Sequence, residues 1–243
     1  MSGSEATIYD GRPDRLLVIS AHPGDADRAI AGSVAGWVRR GTAAHLVCCT
    51  SGDGSADDAS SDGLKLAARR EAEQRAAAAL LGYEAVTFLH RPEGALLNDL
   101  ALREQLVRVI RSFRPDAIAA PDPTVVFAPD GGVQHVDHRE AGMAGVDAAD
   151  PAASNAMAFP HLVTAEGLQP HRVKDLLLYW PARPQTLVDI AASMDAKLAA
   201  LGVHLSQPGD ADELEQHVRQ VAQRAGAEVG IQLAESFHLV PLG

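Results

Sequence analysis

The sequence predicts an α/β protein whose core is a doubly wound, mostly parallel sheet. Short apolar segments with many branched residues alternate with longer segments of helical pattern over the first 150 residues. Such alternation is typical of parallel strands joined by helices that cover both faces of a sheet. Hydrophobic residues make up 47% of the chain, which is enough to fill a sizeable core between these layers.

Each predicted element depends on a local pattern and on its stop signals. Gly82 follows a long Ala-, Arg- and Glu-rich segment and is typical of a helix end, whereas Pro121 ends an apolar segment. The predicted strands are Leu16–Ala21, Ala44–Thr50, Val86–Leu89, Ala117–Ala120, Leu176–Trp180 and Thr186–Ile190. The predicted helices are Ala29–Arg40, Leu64–Leu81, Leu100–Phe113, His138–Ala149, Ser193–Leu201 and Asp212–Ala225.

The chain length favours a single domain over residues 1–243. No internal repeat or linker-like segment divides the sequence. We expect a core at 14–150 and a small α+β lobe at 151–243, because the regular strand–helix alternation stops near residue 150.

Charge and composition limit the classes of partner. A formal net charge of −11 and a pI of about 5.3 argue against nucleic acid and against an anionic membrane surface. The amino terminus lacks the apolar segment of a signal peptide, and no stretch approaches the length of a membrane span. Cys48 and Cys49 are adjacent in a predicted strand, so they point to opposite faces as free thiols. We therefore expect a cytoplasmic protein with a small, soluble ligand.

Two polar motifs follow strands whose carboxyl ends meet at the same edge of the sheet. The first strand runs into HPGDAD at residues 22–27, and the loop after the fourth strand ends in HVDH at residues 135–138. Ligands of such folds bind at this edge. Two histidines and one aspartate with an open position form the ligand set of a catalytic zinc. The motifs therefore predict a divalent metal, Zn²⁺ or another such as Fe²⁺, with a water whose pKa it lowers.

With these motifs and TSGDGS at residues 50–55, the chain resembles the LmbE-like, or GlcNAc-phosphatidylinositol de-N-acetylase, family of zinc-dependent deacetylases. The family includes enzymes that act on GlcNAc-containing precursors of mycothiol and bacillithiol. The resemblance extends to residues 69–82, 92–94, 204–207 and 234–237. It implies a Rossmann-like domain, a homo-oligomer and removal of an acetyl group from a small polar substrate, such as an N-acetylated sugar or thiol conjugate.

The resemblance assigns roles to residues of both motifs. It implies that the metal ligands are His22, Asp25 and His138. His135 corresponds to the general acid or oxyanion-stabilising histidine of the family, and Asp137 to the carboxylate that orients it.

Three further residues are candidates for substrate binding. Arg70 corresponds to a substrate-contacting arginine of the family, although a solvated pair with Glu73 on the same helix is an alternative. Glu93 follows the third strand and could accept a hydrogen bond from a sugar-like hydroxyl. His204 lies in the HLSQ motif, where the resemblance favours a position in the cleft over one on the surface.

One position departs from the family in a way that affects the chemistry. Gly24 stands where the family has the aspartate that acts as general base, and Val133 stands where some members have a catalytic tyrosine. Asp27 is the nearest spare carboxylate and is our candidate for the missing base. The alternatives are a non-catalytic metal-binding homologue, a divergent metal-dependent enzyme and a deliberately inactivated variant.

Overall fold

The computed structural model describes residues 6–54, 62–128, 131–207 and 210–243, and within them eight strands form one sheet. The strands are β1 Thr7–Ile8, β2 Arg15–Ser20, β3 Ala43–Thr50, β4 Ala85–Arg91, β5 Ala117–Pro121, β6 Asp175–Tyr179, β7 Thr186–Asp189 and β8 Ala234–Pro241. The α-helices are α1 Asp25–Arg39, α2 Gly63–Leu81, α3 Leu100–Phe113, α4 Val136–Asp147, α5 Pro160–Thr164, α6 Met194–Leu201 and α7 Ala211–Ala227. A short π-helix, Ala148–Ala152, follows α4.

The order of strands in the sheet is β1-β7-β8-β6-β5-β2-β3-β4. Strand β8 runs antiparallel to its neighbours β6 and β7, and the other pairs are parallel. The prediction of a mostly parallel sheet is therefore confirmed. Because β2 lies between β3 and β5, its carboxyl end reaches the middle of the edge at which both polar motifs lie.

The two faces of β2 are buried in separate cores, as a doubly wound sheet requires. Leu16 and Val18 belong to the core that contains Trp37 of α1, whereas Leu17 and Ile19 belong to the core that contains α3 and α4 residues. The same alternation separates the adjacent cysteines: the thiol of Cys48 lies in the first core and that of Cys49 in the second, and both are free.

Two helices begin earlier than the sequence pattern indicates. Helix α1 starts at Asp25, one turn before the predicted Ala29, and α4 starts at Val136, not at His138. The residues just before the predicted starts form first turns because acidic side chains are favoured at the positive end of a helix dipole. The His135 side chain also caps α4, since its Nδ1 accepts the N–H of Asp137 at 3.2 Å. Both polar motifs thus lie at helix amino termini.

The predicted strands and helices of residues 151–243 are present within two residues of their expected ends, and their strands extend the same sheet. The sequence pattern did not reveal β1, α5 or β8. Strand β8 was missed because its serine, histidine and glutamate interrupt the apolar run. The described residues contain no helix that is both long and apolar enough to cross a bilayer.

A buried ion pair joins the end of the chain to helix α1. Lys197 Nζ of α6 lies 2.6 Å from Glu235 Oε1 of β8, and both side chains are almost fully buried. Both charged groups also bond the backbone of α1. Nζ donates to the carbonyls of Arg28 and Ala29, and the carboxylate accepts the N–H groups of Gly32 and Ser33.

Replacing one partner of this pair should be costly. We expect Lys197→Met to lower the free energy of unfolding by about 3–5 kcal/mol, because it leaves the Glu235 carboxylate buried without its cation. Urea denaturation measures the change. The control is Lys174→Met, which removes an exposed lysine paired with Asp116 and should cause no measurable loss. Equal losses in the two variants would contradict the expected contribution of the buried pair.

Candidate metal and catalytic site

The carboxylate of Asp25 connects both polar motifs. Its Oδ2 accepts the backbone N–H of His22 at 2.8 Å and lies 3.1 Å from His22 Nδ1. The same oxygen lies 3.3 Å from His138 Nε2, which α4 presents from the other motif. The two histidines that the resemblance assigns to the metal therefore both approach Oδ2 of the third assigned residue, Asp25.

A third imidazole, that of His135, completes a histidine cluster. One ring nitrogen from each of His22, His135 and His138 lies within 4.8 Å of the others. Nitrogen ligands from imidazole with a carboxylate oxygen suit Zn²⁺ or Fe²⁺. The donor types and their convergence fit a divalent metal. His135 is the most exposed of the three histidines and lies at the outer side of the cluster.

The partner of Asp137 differs from the prediction. Its buried carboxylate contacts His22 Nε2 at 3.0 Å and accepts the backbone N–H groups of Gly94 at 2.6 Å and Leu96 at 3.2 Å. Its bond to His135 is made by the backbone N–H. Asp137 therefore orients the imidazole of His22, not that of His135, and leaves Nδ1 of His22 directed to Asp25. A carboxylate on the far nitrogen of a metal-binding histidine is a common arrangement.

These contacts shift the pKa values of the cluster. Burial opposes protonation of His22, but its hydrogen bonds to Asp25 and Asp137 and the nearby Glu93 carboxylate outweigh burial and raise the pKa to about 9. Burial likewise opposes ionisation of Asp25, but His138 and His22 hold its pKa far below the usual range. In the metal-free protein, both ring nitrogens of His22 are protonated at neutral pH. A metal that binds Nδ1 must displace the proton on that atom.

Arg70 and Glu93 form a second charged group beside the histidines. Glu93 Oε1 lies 3.8 Å from His22 Nε2, and its Oε2 accepts the N–H of Gly54 at 2.7 Å. Arg70 Nη1 lies 3.8 Å from Glu93 Oε2, and only 4% of the Arg70 surface is exposed. The alternative prediction of a solvated Arg70–Glu73 pair is wrong, because Glu73 pairs with Arg69 on the outer side of α2.

Asp27 and His204 meet in a different buried network. Asp27 Oδ2 lies 2.7 Å from His204 Nε2 and accepts the amide N–H of Gln74 at 2.8 Å. The hydrogen bonds described for these side chains connect them with α2, not with His22 or His138. The reason is helical geometry: residues two apart point to different sides of a helix, so Asp27 faces inward when Asp25 faces the histidines.

Sequence reasoning missed two residues that contact His138. Gln134 Oε1 lies 3.2 Å from His138 Nδ1, and the ring centroids of Trp180 and His138 are 4.9 Å apart. Trp180 has a φ of 51°, which is uncommon for a bulky residue. Two signals were available: Gln134 precedes His138 by four residues, and Trp180 ends a predicted strand at the functional edge.

The fold and the histidine cluster define an α/β protein with a candidate metal site at the carboxyl edge of its sheet. The family model described as PIG-L, GlcNAc-PI de-N-acetylase, matches residues 17–149, which include both motifs. The chain belongs to this family, as the resemblance predicted.

Two sequences and one solved structure show how near the similarity is. The chain is 31% identical over 229 residues to diacetylchitobiose deacetylase of Thermococcus kodakarensis, covering 93% of this chain and 83% of that protein. It is 29% identical to 1D-myo-inositol 2-acetamido-2-deoxy-alpha-D-glucopyranoside deacetylase of Mycobacterium sp. (strain KMS), covering 84% and 78%. The structure of N,N'-diacetylchitobiose deacetylase from Pyrococcus horikoshii superposes with a TM-score of 0.85 at 28% identity, covering 94% and 84%.

The contact of Asp137 with His22 predicts an effect on metal binding. We expect Asp137→Asn to weaken Zn²⁺ affinity by roughly 10–100-fold, because the amide is a poorer partner for the imidazole. Competition with a chromogenic chelator measures the affinity. Asp195→Asn, which changes a fully exposed side chain, is the control. Unchanged affinity in Asp137→Asn would rule out this role of the carboxylate.

Proposed function

We propose that the protein is a metal-dependent hydrolase that removes the acetyl group from a small, N-acetylated, sugar-like substrate. The observation that carries the proposal is the convergence of His22, Asp25 and His138 at the carboxyl edge of the sheet. The relatives named above are deacetylases of a chitobiose and of an inositol glycoside, both acetamido sugars. Their similarity extends over most of the chain, which supports the same reaction type here.

We propose Zn²⁺ as the metal, with Fe²⁺ as the alternative, held by Nδ1 of His22, the carboxylate of Asp25 and Nε2 of His138. A zinc ion supplies Lewis acidity to an amide carbonyl and lowers the pKa of a water molecule toward 7. Asp137 and Gln134 support the proposal because they bond the second nitrogen of His22 and of His138, respectively. Each imidazole then has one nitrogen directed to the Asp25 carboxylate.

His135 is the proposed proton-transfer residue. Burial lowers its pKa below that of a free histidine, so its imidazole is mostly neutral at pH 7 and can accept a proton. We propose that it takes the proton of the attacking water and delivers it to the leaving amine. Since Gly24 carries no side chain, one imidazole performs both transfers. Asp27 is not assigned a base role in this proposal, because its Oδ2 is bonded to Gln74 and His204.

Arg70 and Glu93 are the proposed substrate-binding pair. Both charged side chains are buried, Glu93 beside His22 and Arg70 beside Glu93. An arginine can donate to a sugar hydroxyl there, and a carboxylate can accept from one. His204 is left out of the substrate-binding set, because its Nε2 is bonded to Asp27 in the network that connects with α2.

A second candidate function is that of a non-catalytic, metal-binding homologue, which Gly24 favours. In that case the histidine cluster would bind metal and ligand without turnover.

We also propose that the chain is one domain and that it forms a cytoplasmic homo-oligomer. Its two free, buried thiols suit a reducing compartment, and the oligomer follows from the family resemblance.

The deacetylase proposal predicts acetate release that depends on the metal ligands. Protein loaded with one equivalent of Zn²⁺ should release acetate from N-acetylglucosamine or N,N'-diacetylchitobiose. His138→Ala should lower kcat/KM at least about 100-fold, because the metal loses a ligand. An enzyme-coupled acetate assay measures the rates, and chelation followed by Zn²⁺ addition should abolish and restore them.

The matched control is His217→Ala, which removes an exposed histidine of α7 and should not change the rate. If the zinc protein binds these sugars but releases no acetate, the non-catalytic alternative replaces the deacetylase proposal. Turnover that persists in His138→Ala would contradict the assigned metal site.

A further inference from the structure

The side chain of Gln207 lies where a side chain on residue 24 would be. Gly24 has no Cβ, and a Cβ built on its backbone would lie 3.3 Å from Gln207 Cδ and 3.4 Å from Oε1, with the amide nitrogen closer still. A side chain on residue 24 would therefore displace the carboxamide from this position. Because Gly24 lies between the candidate ligands His22 and Asp25, the carboxamide takes a place directly beside the metal-binding turn.

Two hydrogen bonds hold the carboxamide in this place. Gln207 Nε2 donates to the carbonyl of Pro23 at 2.9 Å, and Oε1 accepts from Arg28 Nη2 at 2.6 Å. The amide has two N–H donors and two lone pairs, so these bonds use one of each. One N–H and one lone pair remain for water or a ligand.

The segment that carries Gln207 is itself anchored to the helices around the site. The N–H and hydroxyl of Ser206 donate to Glu73 of α2, and His204 bonds Asp27 of α1. On the other side of the contact, the N–H of Gly24 donates to Gln74 Oε1 at 2.6 Å. The bond of Gly24 to Gln74 is buried and the bond of Gln207 to Pro23 is partly buried, whereas Arg28 bonds the carboxamide from the exposed side.

We propose that Gln207 is a substrate-binding residue of this site, with its carboxamide in the space that Gly24 leaves open and its remaining donor and acceptor directed to the acetamido group or a hydroxyl of the sugar. An amide neither takes up nor releases a proton at neutral pH, so it contributes binding and no proton transfer. The identity of the ligand in this inference rests on the proposed function. The competition between side chains at positions 24 and 207 for one space does not depend on that function.

The first test separates binding from chemistry. Gln207→Ala should raise KM for N,N'-diacetylchitobiose about tenfold and change kcat less than threefold, because hydrogen bonds to the bound ligand are lost. Gln207→Met, which fills the space without hydrogen bonding, should behave in the same way. Gln223→Ala on the exposed face of α7 should leave both constants unchanged. A wild-type KM in Gln207→Met would overturn the proposal.

The second test concerns the shared space and needs no turnover. Gly24→Asp places a side chain at φ 91°, and Gly41→Asp places one at φ 98° where no atom lies within 4 Å of the added Cβ. Gly24→Asp should therefore lower the urea midpoint more than Gly41→Asp does. Gln207→Ala should recover that excess in the double variant with Gly24→Asp, and should not do so with Gly41→Asp. Additive effects at positions 24 and 207 would show that the two side chains do not compete.

Failure of the deacetylase proposal gives a distinct result. If the wild-type zinc protein releases no acetate, calorimetric binding of N,N'-diacetylchitobiose replaces KM as the measurement. About tenfold weaker binding in Gln207→Ala then supports the inference although the protein is not a deacetylase. Unchanged binding in that variant, or no binding by the wild type, overturns it.

Discussion

The contact of the Asp25 carboxylate with two histidines is the interaction on which the site depends. One oxygen lies within 3.3 Å of ring nitrogens from His22 and His138, which belong to segments more than 100 residues apart. The contact forms because β2 and β5 are neighbours in the sheet, so that α1 and the loop leading to α4 begin at the same edge. A metal at this position would bind two helix amino termini together.

Residues in the last third of the chain hold helix α1, and with it Asp25, in place. The family model covers residues 17–149, yet Lys197, Glu235 and His204 all lie beyond it and all bond helix α1. Removing one partner of such a pair is costly, because it leaves the other charge buried without compensation, so the pair keeps helix α1 in its place. The carboxyl-terminal strands therefore do more than complete the sheet: they support the helix that carries Asp25.

Gly24 changes which residues of the proposed site can transfer protons and which can only form hydrogen bonds. Without a carboxylate at this position, the proposed mechanism assigns proton transfer to His135, whose pKa burial lowers, while the carboxamide of Gln207 occupies the space beside Gly24. In the proposed site, the space beside residue 24 holds a hydrogen-bonding group and no acid–base group. Such an arrangement favours ligand binding over proton transfer, which is why binding and turnover have to be measured separately.

The sequence alone determined the fold class, most helix and strand bounds, the two motifs at one edge and Gly24. Periodicity and stop signals are local properties of a chain, and the alternation of strands and helices brings the carboxyl ends of parallel strands to one edge. Only the tertiary structure decided which partners the side chains take. Asp137 was expected to orient His135 but bonds His22, Asp27 was expected near the metal but faces α2, and Gln207 was not expected beside Gly24 at all. These partners lie far apart along the chain, and a bond between them depends on how helices pack and which side each residue faces, which spacing along the sequence does not specify.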